Sequence, residues 1–174
     1  MAKSFAAIID DLTRAINALP NRVATLAVNF SKERFVKQNW HDSSEKPWEK
    51  RHGRRRGGDK RQNGAVLVDS GRLKRSIRVI SANKERIIIG TDVPYAEIHN
   101  EGFDGQQNVR AHQRRSRNGK VHTVRAHTRR MSMPERRFLG ESQELANRIE
   151  NLMETELKKA LQEPVGGIKK VFFD

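Results

Sequence analysis

Residues 67–103 read "LVDSGRLKRSIRVISANKERIIIGTDVPYAEIHNEGF", and their pattern sets the fold class. Asp69 or Ser70 can accept hydrogen bonds from the free N–H groups of a first helical turn. Leu73 and Ile77 lie four apart and share a helix face. Residues 67–77 therefore predict a short capped helix. The following "IRVISANKERIIIGTD" (77–92) is rich in β-branched residues and apolar on both sides of Asn83-Lys84, which predicts a β-hairpin. Ile77, Val79 and Ser81 are expected on the core face of one strand, Ile87 and Ile89 on that of the other. Gly90 and Pro94 close the second strand. Tyr95, Ile98 and His99 then fall on one face of a helical turn, with Gly102 as its stop. Helix, hairpin and helix within one apolar run predict an α+β fold, a small antiparallel sheet packed by helices.

The flanks supply those helices. Phe5, Ile8, Ile9, Leu12, Ile16 and Leu19 recur at helical spacing. Pro20 lacks a donor and favours a first-turn position. One N-terminal helix is thus expected to end near Leu19 and a second to start at Pro20, with Val23, Leu26, Ala27, Phe30 and Phe35 on one face. Near the other end, Leu145, Ile149, Leu152, Met153, Leu157 and Leu161 make a stripe over about five turns of a long C-terminal helix. Ser142 can cap it. Glu141 and Glu144 suit its positive end, Lys158 and Lys159 its negative end. Pro164 and Gly166-Gly167 end it. The tail, 163–174, holds Val171, Phe172 and Phe173, exposed unless a partner or the sheet covers them.

The chain has 174 residues, enough for one domain with a modest core. Its apolar residues cluster in 5–36, 66–103 and 138–161, so the chain reads as a single domain, 1–174, with two basic insertions. The first, 40–64, is rich in Gly, Pro and charge and reads as a loop. It carries Arg51, Arg54, Arg55, Arg56, Lys60 and Arg61, and a disordered segment is an equal alternative. Trp48 is its exception, a large indole expected to dock on the body. The net charge of +14 calls for an acidic partner, whether nucleic acid, anionic membrane or the acidic face of a protein. The absence of cysteine excludes disulfides and thiolate metal sites. No apolar run approaches the roughly 20 residues that cross a bilayer, and Asp10-Asp11 argue against a secretory signal. The chain is expected to be made and kept in cytoplasm.

The second insertion, 104–134, contains "VRAHQRRSRNGKVHTVRAHTRR" (109–130), in which seven residues are written almost twice around Asn118-Gly119. A two-residue type I′ turn at Asn-Gly would set Arg115 opposite His122, Gln113 opposite Val124, Ala111 opposite Ala126 and Val109 opposite Thr128. The result is a projecting basic β-hairpin arm carrying Arg110, His112, Arg114, Arg115, Arg117, Lys120, Arg125, His127, Arg129 and Arg130. Two isolated strands are marginal in water, and opposed like charges weaken them further. The arm is expected to become ordered on an acidic surface. It has no aromatic residue, so base stacking is not indicated. His112 and His127 would be diagonal neighbours, but a dication amid Arg110 and Arg125 is electrostatically opposed and lacks a third ligand. No metal and no cofactor is expected.

His99 with Glu97 and Glu101 is the sole hint of a nuclease. No nucleophile elbow or phosphate loop accompanies it, and the chain is expected not to be an enzyme. His99 is expected to pack beside Tyr95 and bond to backbone.

"LVDSGRLKRSI", "IIIGTDVPYAEIHNEG" and "MPERRFLG" (133–140), in that order after a Trp-containing loop, resemble the tail-completion or virion-morphogenesis proteins of tailed bacteriophages over residues 48–161. Arg137 is a departure, standing where a small residue or proline is expected before Phe138. The resemblance implies an α+β subunit of a homo-oligomeric ring, commonly of six, that caps the tail tube and mediates head–tail joining. It implies a structural protein of the virion's tail and neck region, assembled in host cytoplasm. Its partners would be tail-tube and neck or connector proteins, with possible contact to packaged DNA and none to membrane. The matching residues Trp48, Ser70, Gly71, Leu73, Ile77, Gly90, Tyr95, Ala96, Ile98, His99, Gly102, Phe138, Leu139 and Gly140 would serve folding and subunit packing. On this view the arm grips an adjacent protein ring, with DNA contact secondary. A free nucleic-acid-binding protein using the basic loops on phosphates is the alternative.

Overall fold

A computed structural model describes residues 4–50 and 64–161. Arg51, Arg54, Arg55, Arg56, Lys60, Arg61 and the tail at 163–174 lie outside the described residues. Helix α1, Phe5–Lys37, is one continuous element of 33 residues, capped by Ser4, whose Oγ accepts from the Ala7 amide at 3.3 Å. The expected break at Pro20 does not occur. An internal proline removes one helical hydrogen bond and costs about 3 kcal/mol, but the turns beyond it are held by burial of Ala24, Ala27, Phe30 and Phe35. Packing overrides the local preference.

The helix stops at Gln38, which adopts a left-handed conformation (φ 57°). Its side-chain amide then clasps a residue far along the chain. Nε2 donates to the Val66 carbonyl (3.1 Å) and Oε1 accepts from the Val66 amide (2.5 Å). The stretch read as loop from residue 40 begins instead with an antiparallel pair, β1 (Asn39–His41) and β2 (Glu45–Pro47). It is ordered because it carries buried anchors. Trp40 meets Phe30 edge-on (5.8 Å between ring centroids), and Asn39 Oδ1 accepts from the buried Arg34 guanidinium at 3.0 Å. Trp48 docks as expected, edge-on to Phe35 at 5.4 Å, with its indole N–H donating to the Arg137 carbonyl at 2.9 Å.

Helix α2, Arg72–Ser76, is shorter than expected, but Ser70 does accept at its start, its Oγ taking the Arg72 amide at 3.4 Å. Gly71, at φ 72°, holds the position before it, and Asp69 and Ser70 lie in the preceding turn. Leu73 and Ile77 are buried together. Strands β3 (Arg78–Ala82) and β4 (Ile87–Gly90) form the expected antiparallel hairpin. A register irregularity between Val79 and Ser81 breaks the side-chain alternation. Val79 is therefore 39% exposed rather than on the core face, while Ile89 packs on the core. Helix α3, Ala96–Glu101, ends at Gly102.

Four further strands form a long ribbon: β5 (Phe103–Val109), β6 (His112–Arg115), β7 (Val121–Val124) and β8 (His127–Met133). Helix α4, Gln143–Leu161, closes the chain's described part. Ser142 caps it as expected, accepting from the Leu145 amide at 3.1 Å while donating to the His41 carbonyl at 2.7 Å. Helices α1 and α4 pack together. Arg148 bridges them, reaching Glu33 at 2.8 Å and Glu144 at 2.6 Å, and Arg22 meets the buried Glu156 at 2.5 Å. The outcome is α+β, with four helices and four two-stranded antiparallel pairs among the described residues. Its core is centred on Phe35, Trp48, Leu73, Ile77, Val93 and Phe138.

Candidate functional site

The ribbon is one antiparallel ladder in a single register. Strands β5 and β8 pair from Phe103 opposite Met133 to Val109 opposite His127. Strands β6 and β7 pair from His112 opposite Val124 to Arg115 opposite Val121. This register is shifted by one from the expected one. Arg115 faces Val121 rather than His122, Gln113 faces Thr123 rather than Val124, and Val109 faces His127 rather than Thr128. The turn is the cause. Ser116 N donates to the Lys120 carbonyl (2.8 Å), Gly119 N to the Ser116 carbonyl (3.0 Å), and Gly119 alone takes positive φ, at 83°. Asn-Gly thus serves a three-residue loop with a left-handed glycine, not a two-residue type I′ turn.

The shift changes the electrostatics. Ala111 and Ala126 are not opposed along a strand but lie, with Arg110 and Arg125, in the two short non-strand junctions. Arg114 lies across from His122, and Arg115 across from Val121. The anticipated rows of opposed cations do not form. Near the base, Arg130 pairs with Asp104 at 3.2 Å. Arg129 donates twice to Gln107 Oε1, at 3.0 and 2.7 Å. Farther out, Arg110, Arg114, Arg115, Arg117, Lys120 and Arg125 are exposed and form no ion pair among the described residues. The written repeat is also a structural one, since His112 Nδ1 meets the Arg110 carbonyl and His127 Nδ1 the Arg125 carbonyl, each at 3.0 Å. Among the described residues no group of three or more His, Asp or Glu is placed to hold a metal ion.

Both ends of the ribbon are fastened to the body beside α3. At Gly102 (φ 78°) a Cβ would stand 2.9 Å from the Glu135 backbone nitrogen, so the chain leaves α3 in contact with the returning strand's continuation. Arg136, itself buried, donates its amide to the His99 carbonyl (2.9 Å) and Nε to the Glu49 carbonyl (3.0 Å). Asn100 clamps the next residues. Its Oδ1 accepts from the Phe138 and Leu139 amides and its Nδ2 donates to the Leu139 carbonyl, all at 2.9 Å. Phe138 is thereby set, fully buried, against Phe35 at 5.0 Å. Arg137 is accommodated before it by lying over the Trp40 ring (5.9 Å) and pairing with Glu135 (3.3 Å).

The structure brings the motif residues together around this joint. Trp48, Leu73, Ile77 and Phe138 share the core, with Leu139 packed against it, while Ser70 and Gly140 lie at the surface in turns. Gly90 ends β4 opposite Arg78, and an ideal Cβ there would meet the Ile80 side chain at 2.9 Å. Tyr95 and His99 stack edge-to-face at 5.8 Å and line a cleft of about 870 Å³ with Asp69 and Arg136. The His99 side chain does not bond to backbone through Nδ1, which is buried without a partner. Burial, and secondarily the Arg136 charge, hold its pKa below the usual histidine value, so it is neutral near pH 7. Glu97 and Glu101 are exposed.

Sequence reading missed Gln38, Asn100, Arg34 and Arg136. Gln38, Asn100 and Arg136 bond to backbone far along the chain, whereas Arg34 is held by its near neighbours Phe30, Glu33 and Asn39. Buried Arg34 stacks over Phe30 at 4.6 Å and pairs with Glu33 at 3.2 Å. A buried cation with such company has a structural role.

No curated protein and no solved structure matches the chain significantly. No helix among the described residues is long and apolar enough to cross a membrane. The phage virion morphogenesis family matches residues 2–158, which span the helical body, the ribbon and the Asn100-clamped joint. That family is typically structural. The chain belongs to the phage virion morphogenesis family.

Proposed function

We propose that the protein is a ring-forming tail-completion subunit, commonly six to a ring, that caps the tail tube and mediates head–tail joining. The observation that carries this reading is the division of labour in the fold. An α+β body buries its own core, while a ribbon of about 40 Å, taking 3.3 Å per residue over residues 103–116, packs extensively only on itself. The exposed cations Arg110, Arg114, Arg115, Arg117, Lys120 and Arg125 are carried on that ribbon, away from the body's core. A ring repeats its contacts heterologously, and repetition of a subunit of net charge +14 is self-repelling unless anionic material lies against it. Family membership supports the virion setting. The neck end of the tail, tail-tube and connector proteins as neighbours, and the ring itself are parts of this proposal.

The test uses the full chain and one shortened variant, in which an Asn-Gly turn replaces residues 110–126 between the paired Val109 and His127. Native mass spectrometry and negative-stain imaging of the full chain should show closed rings. The variant should keep its thermal unfolding and its rings yet fail to yield joined particles in a head–tail complementation assay. A full chain that stays monomeric with purified tail tubes, or a variant that restores infectious particles in normal yield, would contradict the proposal.

A further inference from the structure

We infer that the distal half of the ribbon, residues 109–125, is a binding surface for the phosphate backbone of duplex DNA. The inference deepens the head–tail reading and rests on it only for where a duplex is met, at the junction that DNA must cross.

Charge is the first observation. Between residues 105 and 134 there is no acidic side chain. Arg110, Arg114, Arg115, Arg117, Lys120 and Arg125 are all exposed and without an ion pair among the described residues. The ribbon's own acid, Asp104, is spent at the base on Arg130.

Face is the second. Side chains alternate along a strand, so Arg114 and Arg115 point to opposite faces of the ribbon. The observed register puts a histidine and a valine across from them, leaving cations on both faces. A surface laid against a neighbouring protein would use one face. A groove walled by two phosphate rails uses both. The B-DNA major groove, about 12 Å wide, admits a two-stranded ribbon.

Composition is the third. Protein interfaces anchor on buried aromatic and other large apolar side chains. In this half of the ribbon Val121, 55% exposed, is the only exposed large hydrophobic residue, and no aromatic is present. The same lack removes the stacking platform that single strands need. Arginine, lysine and small polar groups suffice for a duplex backbone, where contacts to phosphate carry affinity without reading sequence.

The experiment measures fluorescence anisotropy of a labelled 30-base-pair duplex of arbitrary sequence with the full chain, across a salt series. The main variant joins Arg110→Gln, Arg114→Gln, Arg115→Gln and Arg125→Gln. Its control removes four exposed cations from the body: Lys37→Gln, Arg72→Gln, Lys84→Gln and Arg86→Gln. Each lost phosphate contact lowers the log–log salt slope by about 0.9, so the ribbon variant should lose on the order of 3 to 4 units of slope and at least about 100-fold in affinity at 0.1 M salt. The control should stay within about fivefold. Lysine at the same four ribbon positions should restore most of the binding, which excludes misfolding. Equal losses in both variants would overturn the inference, as would absence of duplex binding. So would displacement of the duplex by poly-glutamate at equal charge concentration, which would assign the ribbon to an acidic protein. Ring imaging of the same samples separates the two proposals, because the ribbon substitutions leave the body untouched.

Discussion

Asn100→Ala should be among the most costly single changes outside the apolar core. The side chain makes three hydrogen bonds of 2.9 Å to Phe138 and Leu139. At about 0.5–1.5 kcal/mol net each, with partial access of water to the freed groups, their loss should cost about 3 kcal/mol. For a chain of this size that corresponds to a fall in Tm of roughly 6–12 °C. Asn100→Asp is the informative partner. Its carboxylate can still accept from both amides but cannot donate, and it sets negative charge against the Leu139 carbonyl. It should fall between wild type and alanine. Urea unfolding followed by circular dichroism, with the slope m compared across variants, reads both. An Asn100→Ala variant within about 0.5 kcal/mol of wild type would refute the clamp, since three lost hydrogen bonds cost about 1.5 kcal/mol even at the low end.

Phe138→Ala, at a fully buried site, should cost about 3–5 kcal/mol in the same assay; a loss under 1 kcal/mol would mean the core closes around the gap. Gly102→Ala should destabilise clearly more than Gly119→Ala, because both need positive φ but only the Gly102 Cβ strikes backbone atoms, whereas nothing lies within 4 Å of the Gly119 one; differential scanning calorimetry compares them. His99 has a depressed pKa in the folded state, so its contribution is full above the unfolded value near 6.5 and is lost as pH falls through the folded one. Wild-type Tm should therefore drop between pH 7 and 5 by more than that of His99→Gln, and parallel curves for the two would dismiss the assignment.

The apolar anchors were legible from the sequence. Trp48 in a polar stretch had to dock, Leu73 and Ile77 had one helical face between them, and Gly102 announced a stop. What the sequence concealed were choices between near-equal local options and partners far along the chain. Asn118-Gly119 fits a two-residue turn and a three-residue loop alike, and only the full ladder from Phe103 to Met133 decides between them. Pro20 argues locally for a break, but the burial that carries α1 through it comes from the packed core and α4. Asn100 and Gln38 gave no signal because their partners are 38 and 28 residues away. A polar residue looks the same in sequence whether it faces water or closes a joint.

The ribbon departs from the body and comes back to it at one spot, with Phe103 directly across from Met133. Nothing in the body therefore measures its length. Two residues gained by each strand would push the tip outward by about 7 Å and keep every side chain on its face. One residue per strand would instead turn the tip over, exchanging the faces of Arg114 and Arg115. Descendants of this chain can retune the ribbon's reach in such quantised steps, with Asn100, Trp48 and Phe138 left as they are.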